Sequence, residues 1–209
     1  MERPLILVSG AVEGSIDETV LIRLIELAGG SPGTIHVMGG KSILLAHLPG
    51  FNNAARRSPW VVLVDLDNED ECAPKKLRDW LPHPSPHMRL RIVKREIESW
   101  LLADASGMAA ILGVAVTLIL RDGNPDEIAD PKARIVHLAG RSRSRSIRES
   151  LVPRAGSRRQ VGPGYDATMI RFVQETWNPR SAAERSDSLK RCMDRIHALV
   201  TNLQVLDVL

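Results

Sequence analysis

The chain has 209 residues, 44% of them hydrophobic but only 3% aromatic, so it can bury an aliphatic core and is not a disordered polymer. Its longest uncharged apolar stretch, residues 108–120, is too short to span a bilayer; its first residues lack the basic start of a signal peptide; and Cys72 and Cys192 form neither a disulfide framework nor a metal-like spacing, so a reducing, cytoplasmic setting without membrane contact is expected. The net charge of +3 conceals an asymmetry: residues 60–74 hold five acids and no base, whereas residues 131–180 hold eleven Lys/Arg and three acids, which suits a polyanion brought to a metal centre.

Residues 5–12 read as a strand, with Ser9-Gly10 as a bulge or early end. Val20, Leu21, Leu24, Ile25 and Leu27 recur with helical period; Ser15 or Asp17 is the expected N-cap and Gly29-Gly30 the stop. A second strand is expected over residues 34–38. A short helix over 41–48 should be closed by Pro49-Gly50. The run Trp60-Val61-Val62-Leu63-Val64 reads as a central strand covered on both faces. A helix over 74–81 and a proline-rich loop over 83–87 follow. Residues 88–93 alternate as an exposed or edge strand would, and residues 95–104 and 106–112 read as helices.

Beyond Gly113, Pro131 opens a helix that runs to Leu138. A loop rich in Gly and Arg is expected from Arg141 to Tyr165. Two helices, over 167–176 and 181–203, close the chain; the latter carries Leu189, Met193, Ile196, Leu199, Val200 and Leu203 as one apolar stripe. Alternating strands and helices predict an α/β fold: a mainly parallel, Rossmann-like sheet flanked by helices. The expected division is an α/β core over residues 1–104 and a mostly helical extension over 105–209, packed on the core, with a basic loop at 141–165.

Two carboxylate clusters fall where buried strands should end, the place where open α/β sheets bind ligands. One is Glu13-Gly14-Ser15-Ile16-Asp17-Glu18; the other is Asp65-Leu66-Asp67. If Leu66 is extended, Asp65 and Asp67 leave the same face. Together with Glu13 they offer the hard oxygen ligands that Mg²⁺ takes, if the two strands are neighbours. Asp17 can turn back to the same site and hold a second ion. Glu96 follows the fourth strand and is a further candidate ligand. Each acid taken singly is also a common capping choice. Gly39-Gly40-Lys41-Ser42 is not a phosphate-binding loop, because Ile35 stands where its first glycine belongs.

A strand followed by Val12-Glu13-Gly14-Ser15-Ile16-Asp17, then a strand ending Val64-Asp65-Leu66-Asp67, resembles the TOPRIM fold of topoisomerases, primases and small nucleases. The helix Glu96-Ile97-Glu98-Ser99-Trp100-Leu101-Leu102-Ala103-Asp104 resembles a narrower group, an uncharacterised bacterial family (domain of unknown function) related to the TOPRIM nucleases of the overcoming-lysogenization-defect (OLD) type. Asp130-Pro131-Lys132, Val161-Gly162-Pro163-Gly164-Tyr165 and Ser186-Asp187-Ser188-Leu189 extend that resemblance over nearly the whole chain.

The resemblance implies Mg²⁺- or Mn²⁺-dependent phosphodiester cleavage, in defence against mobile DNA. Glu13 would be metal ligand or general base, Asp65 and Asp67 metal ligands, and Lys94 the downstream lysine of OLD-type sites. Tyr165 sits in a Gly/Pro loop, so hydrolysis by water is expected rather than a tyrosyl intermediate. Nucleic acid is the expected partner, contacted by Arg141, Arg143, Arg145, Arg148, Arg158 and Arg159. A partner protein encoded nearby is a further expectation. The alternative is a non-catalytic nucleic-acid or protein-binding module with a degenerate TOPRIM site.

Overall fold

The computed structural model describes residues 5–66 and 72–206. Strands Leu7–Val12 (β1), Ser31–Val37 (β2), Trp60–Asp65 (β3) and Met88–Val93 (β4) form one sheet in the order β2-β1-β3-β4. All three pairings are parallel. Parallel neighbours need crossovers, which helices Ser15–Leu27 (α1), Lys41–Ala54 (α2) and Ala73–Trp80 (α3) supply. The α/β expectation is therefore met, with β3 inside the sheet and β4 at its edge. The register of β1 against β2 shifts between Val8 and Gly10, the irregularity expected at Ser9-Gly10.

The helical part comprises Ile97–Ala103 (α4), Ala105–Leu112 (α5), Thr117–Leu120 (α6), Pro131–Gly140 (α7), Arg145–Leu151 (α8), Tyr165–Glu175 (α9) and Pro179–Ala183 (α10), with a 3₁₀ turn at Pro125–Glu127 before α7. Helix Asp187–Leu206 (α11) ends the described chain. No helix among the described residues is long and apolar enough to cross a membrane.

The chain divides into two compact units. The first runs to Val93 and resumes at Lys190; the second spans Lys94–Leu189. The expected division at residue 104 differs because α4 is buried along its length, packed against α7, α10 and the 3₁₀ turn of the second unit.

In the first unit, successive strand residues point to opposite faces. Ala11, Val62, Val64, Met88 and Leu90 form one core with Leu44 and Leu48 of α2. On the other face, a Cβ added to Gly10 would lie 2.6 Å from Leu21 of α1, so only glycine lets that helix approach β1 this closely. Val200 of α11 packs beside Gly30.

Four local expectations are corrected. The N-cap of α1 is Gly14, not Ser15 or Asp17. Helix α2 runs through Pro49 to Ala54, because continuing it seats Phe51 against Trp60, with ring centroids 5.2 Å apart. The Arg-rich stretch contains α8, capped by Ser144 and carrying the Arg145–Glu149 pair one turn apart. The helix expected over 181–203 is two helices, separated where the Ser186 hydroxyl turns back to accept from Leu189 N–H.

Candidate functional site

The C-terminal ends of β1 and β3 are neighbours, as the metal-site expectation required. Glu13 follows β1 and Asp65 ends β3; both are half-buried. Glu13 Oε1 accepts the backbone N–H of Asp65 at 2.9 Å. That bond ties one carboxylate to the backbone of the other, so two anions are held at one strand edge. Asp17 is buried in the first turn of α1, where the helix dipole favours an anion. Its Oδ2 stands 3.1 Å from where a Cβ on Gly14 would be, so it turns back toward the residue after Glu13.

Asp67 lies outside the described residues. Among the described residues, no three His, Cys, Asp or Glu side chains converge into a metal-holding group. Glu13 and Asp65 are thus a pair of hard oxygen donors of the kind Mg²⁺ takes, and octahedral coordination asks for further oxygens from water and substrate.

Glu96 and Lys94 belong to the second unit. Glu96 is the N-cap position of α4 and its Oε2 accepts the backbone N–H of Lys132 at 3.4 Å. Arg95, just before it, has φ +70°, a left-handed conformation that a non-glycine residue adopts only under constraint. The Lys94 carbonyl accepts from the Ser99 hydroxyl at 3.1 Å.

Sequence reasoning missed a cluster around Glu98 in this unit. Glu98 is 2% exposed. Its Oε1 lies 3.5 Å from Lys132 Nζ and accepts from the Tyr165 hydroxyl at 3.3 Å. Burial, foremost, and the Glu96 carboxylate push the Glu98 carboxyl above the usual range, against the pull of Lys132. Burial and the Glu98 charge push the Tyr165 hydroxyl well up. The signal lay in residues already noted for other reasons: Glu98, Lys132 and Tyr165 all fall in the segments that carry the resemblance. Spacing along the chain gave no sign that they meet, because the three positions come from α4, α7 and α9.

A second buried acid, Asp126, is structural. Its carboxylate accepts from Ser186 Oγ (2.7 Å), Ser188 N–H and Ser188 Oγ (both 2.9 Å), and Ser188 Oγ accepts from Trp100 Nε1 (2.7 Å). Asp104 caps α5 by accepting from Gly107 N–H and also holds Asn178 N–H. Of the six arginines expected at nucleic acid, Arg141, Arg143, Arg145, Arg158 and Arg159 are exposed. Arg148 is half-buried and donates to the Ser142 carbonyl. No family model matches the chain, and neither does any curated protein or solved structure.

Proposed function

We propose that the chain is a Mg²⁺- or Mn²⁺-dependent phosphodiesterase of TOPRIM type acting on nucleic acid. The observation that supports it most is the bond from Asp65 N–H to Glu13 Oε1, which gathers two carboxylates at the ends of adjacent parallel strands. Like charges brought together at a ligand-binding edge favour a cation there.

Glu13, Asp65 and Asp67 would hold the ion. The ion, when bound, supplies Lewis acidity at the phosphoryl oxygen and lowers the pKa of a bound water. Glu13 Oε1 accepts from the Asp65 amide, and the Glu13 carboxylate would serve as metal ligand or general base. Water is the nucleophile, because Tyr165 is buried and its hydroxyl is donated to Glu98. Arg141, Arg143, Arg145, Arg158 and Arg159 are proposed contacts to the phosphate backbone, with Arg148 holding their segment. Lys94 stays the candidate for the downstream lysine that the resemblance asks for.

The test is incubation of the purified chain with supercoiled plasmid, single-stranded DNA and RNA, in Mg²⁺, Mn²⁺ or EDTA. Metal-dependent cleavage that Glu13→Gln and Asp65→Asn abolish supports the proposal. Absence of cleavage with every metal, or equal cleavage by the variants, favours a non-catalytic binding module instead.

A further inference from the structure

The chain holds four tryptophans, all among the described residues. Trp60, Trp100 and Trp177 are buried, whereas Trp80, the last residue of α3, is only half-buried. It packs with Leu77 and Leu81 against the core shared with α2. Two ammonium groups gather at its ring: Lys41 Nζ lies 5.3 Å and Lys76 Nζ 5.8 Å from the ring centroid. Both distances fall within the reach of cation–π attraction. Lys76 stands one turn before Trp80 on α3, and Lys41 is the first residue of α2. Helix α3 also carries Lys75 and Arg78, both exposed, against Asp79.

This group starts from the sheet edge that carries the two carboxylates. Met38 N–H donates to the Val12 carbonyl at 2.9 Å and Gly39 N–H to the Glu13 carbonyl at 3.0 Å, so the chain entering α2 runs beside the end of β1. Lys41 follows two residues after Gly39.

An accessible ring flanked by ammonium groups has a matching ligand. Proteins hold single strands by stacking bases on aromatic side chains and meeting the phosphates with Lys or Arg, and base stacking is open to any sequence because every base has a π-face. A duplex keeps its bases stacked on one another, so it offers a lone side chain its backbone and groove edges instead. The arginines of residues 141–159 have no aromatic among them, so they can contact a backbone without stacking a base.

We infer that Trp80, Lys41 and Lys76 form a subsite for a single-stranded nucleic acid, with a base stacked on the Trp80 ring and flanking phosphates at the two ammonium groups. The inference rests on the proposed phosphodiesterase reading and names its substrate class.

The experiment is fluorescence anisotropy of labelled oligonucleotides with the full chain in EDTA, where metal-dependent cleavage is silent. It compares single-stranded DNA and RNA with a duplex of the same sequence. Either single strand should bind more tightly than the duplex. Trp80→Leu should weaken single-strand binding about tenfold, within the range of one base–aromatic stack, and Trp80→Phe, which keeps a ring, should recover most of it. Lys41→Gln/Lys76→Gln should make the log–log salt slope shallower by about 1.4, at about 0.7 for each lost contact to a single-strand phosphate. Both lysines are partly exposed, so this double variant should fold and decides the matter even where loss of the Trp80 core contact unfolds Trp80→Leu.

A duplex bound as tightly as the single strands, equal binding by folded Trp80→Leu and wild type, or an unchanged slope in Lys41→Gln/Lys76→Gln would overturn the subsite. So would a loss of binding confined to Arg143→Gln/Arg158→Gln. Cleavage assays separate the two readings. Trp80-dependent binding of single strands without cleavage in Mg²⁺ or Mn²⁺ defeats the phosphodiesterase alone, and cleavage that the Trp80 and lysine variants leave unchanged defeats the subsite alone.

Discussion

Replacing Glu13 separates the structural use of its carboxylate from the chemical one. Glu13→Ala leaves the Asp65 N–H without the acceptor it has at 2.9 Å. A partly buried donor left unsatisfied costs about 1–2 kcal/mol. Glu13→Gln keeps an oxygen at that place and removes one of two neighbouring negative charges. Its stability in EDTA should therefore match wild type within about 0.5 kcal/mol, or exceed it slightly. Adding Mg²⁺ reverses the order. At about a hundredfold excess over Kd, a ligand of the folded state adds ~2.7 kcal/mol, a gain that Glu13→Gln should largely lose. Urea denaturation of the full chain, read by the fluorescence of Trp60 in β3, measures both effects. If Glu13→Ala were as stable as Glu13→Gln in EDTA, the hydrogen bond would not matter. If Mg²⁺ stabilised Glu13→Gln as much as wild type, Glu13 would not be a ligand.

Asp126→Ala should destabilise the second unit by about 3–5 kcal/mol, because it strands Ser186 and Ser188 beneath Trp100; Trp100 and Trp177 fluorescence during denaturation checks this, and a loss under about 1 kcal/mol would contradict it. Glu98→Gln should change the pH dependence of stability. The folded carboxyl keeps its proton to higher pH than the unfolded one, so wild type loses stability as pH rises from the ordinary carboxylate range through the raised value, with Lys132 opposing and Glu96 adding to that loss. The glutamine variant lacks this loss and should gain on wild type from acid to neutral pH; parallel denaturation curves at both pH values would refute the assignment.

The sheet was legible because its strands are written in apolar runs of different kinds. The continuous run at Trp60 marked the inner strand, and the alternation at Arg89 and Arg91 marked the edge. What misled was local chemistry overridden by packing. Pro49 reads as a stop, yet packing of the partly buried Phe51 and burial of Ala55 carry α2 past it. Arg145 and Arg148 read as loop charges, yet Ile147 and Leu151, one turn apart, give α8 an apolar side. Glu13 and Asp65 lie at one edge because β1 and β3 are adjacent in the sheet, an order that the alternation of strands and helices allowed but did not specify. The Glu98–Lys132–Tyr165 cluster was not legible, since it draws on three helices whose packing no periodicity encodes.

Calorimetric titration of Mn²⁺ into the full chain, compared with Asp65→Asn and Glu13→Gln, tests the central claim most directly. Wild type should bind the ion with an affinity that each variant weakens by at least about tenfold, a difference of about 1.4 kcal/mol. Equal binding by all three proteins, or none by wild type, would contradict a metal centre at the ends of β1 and β3.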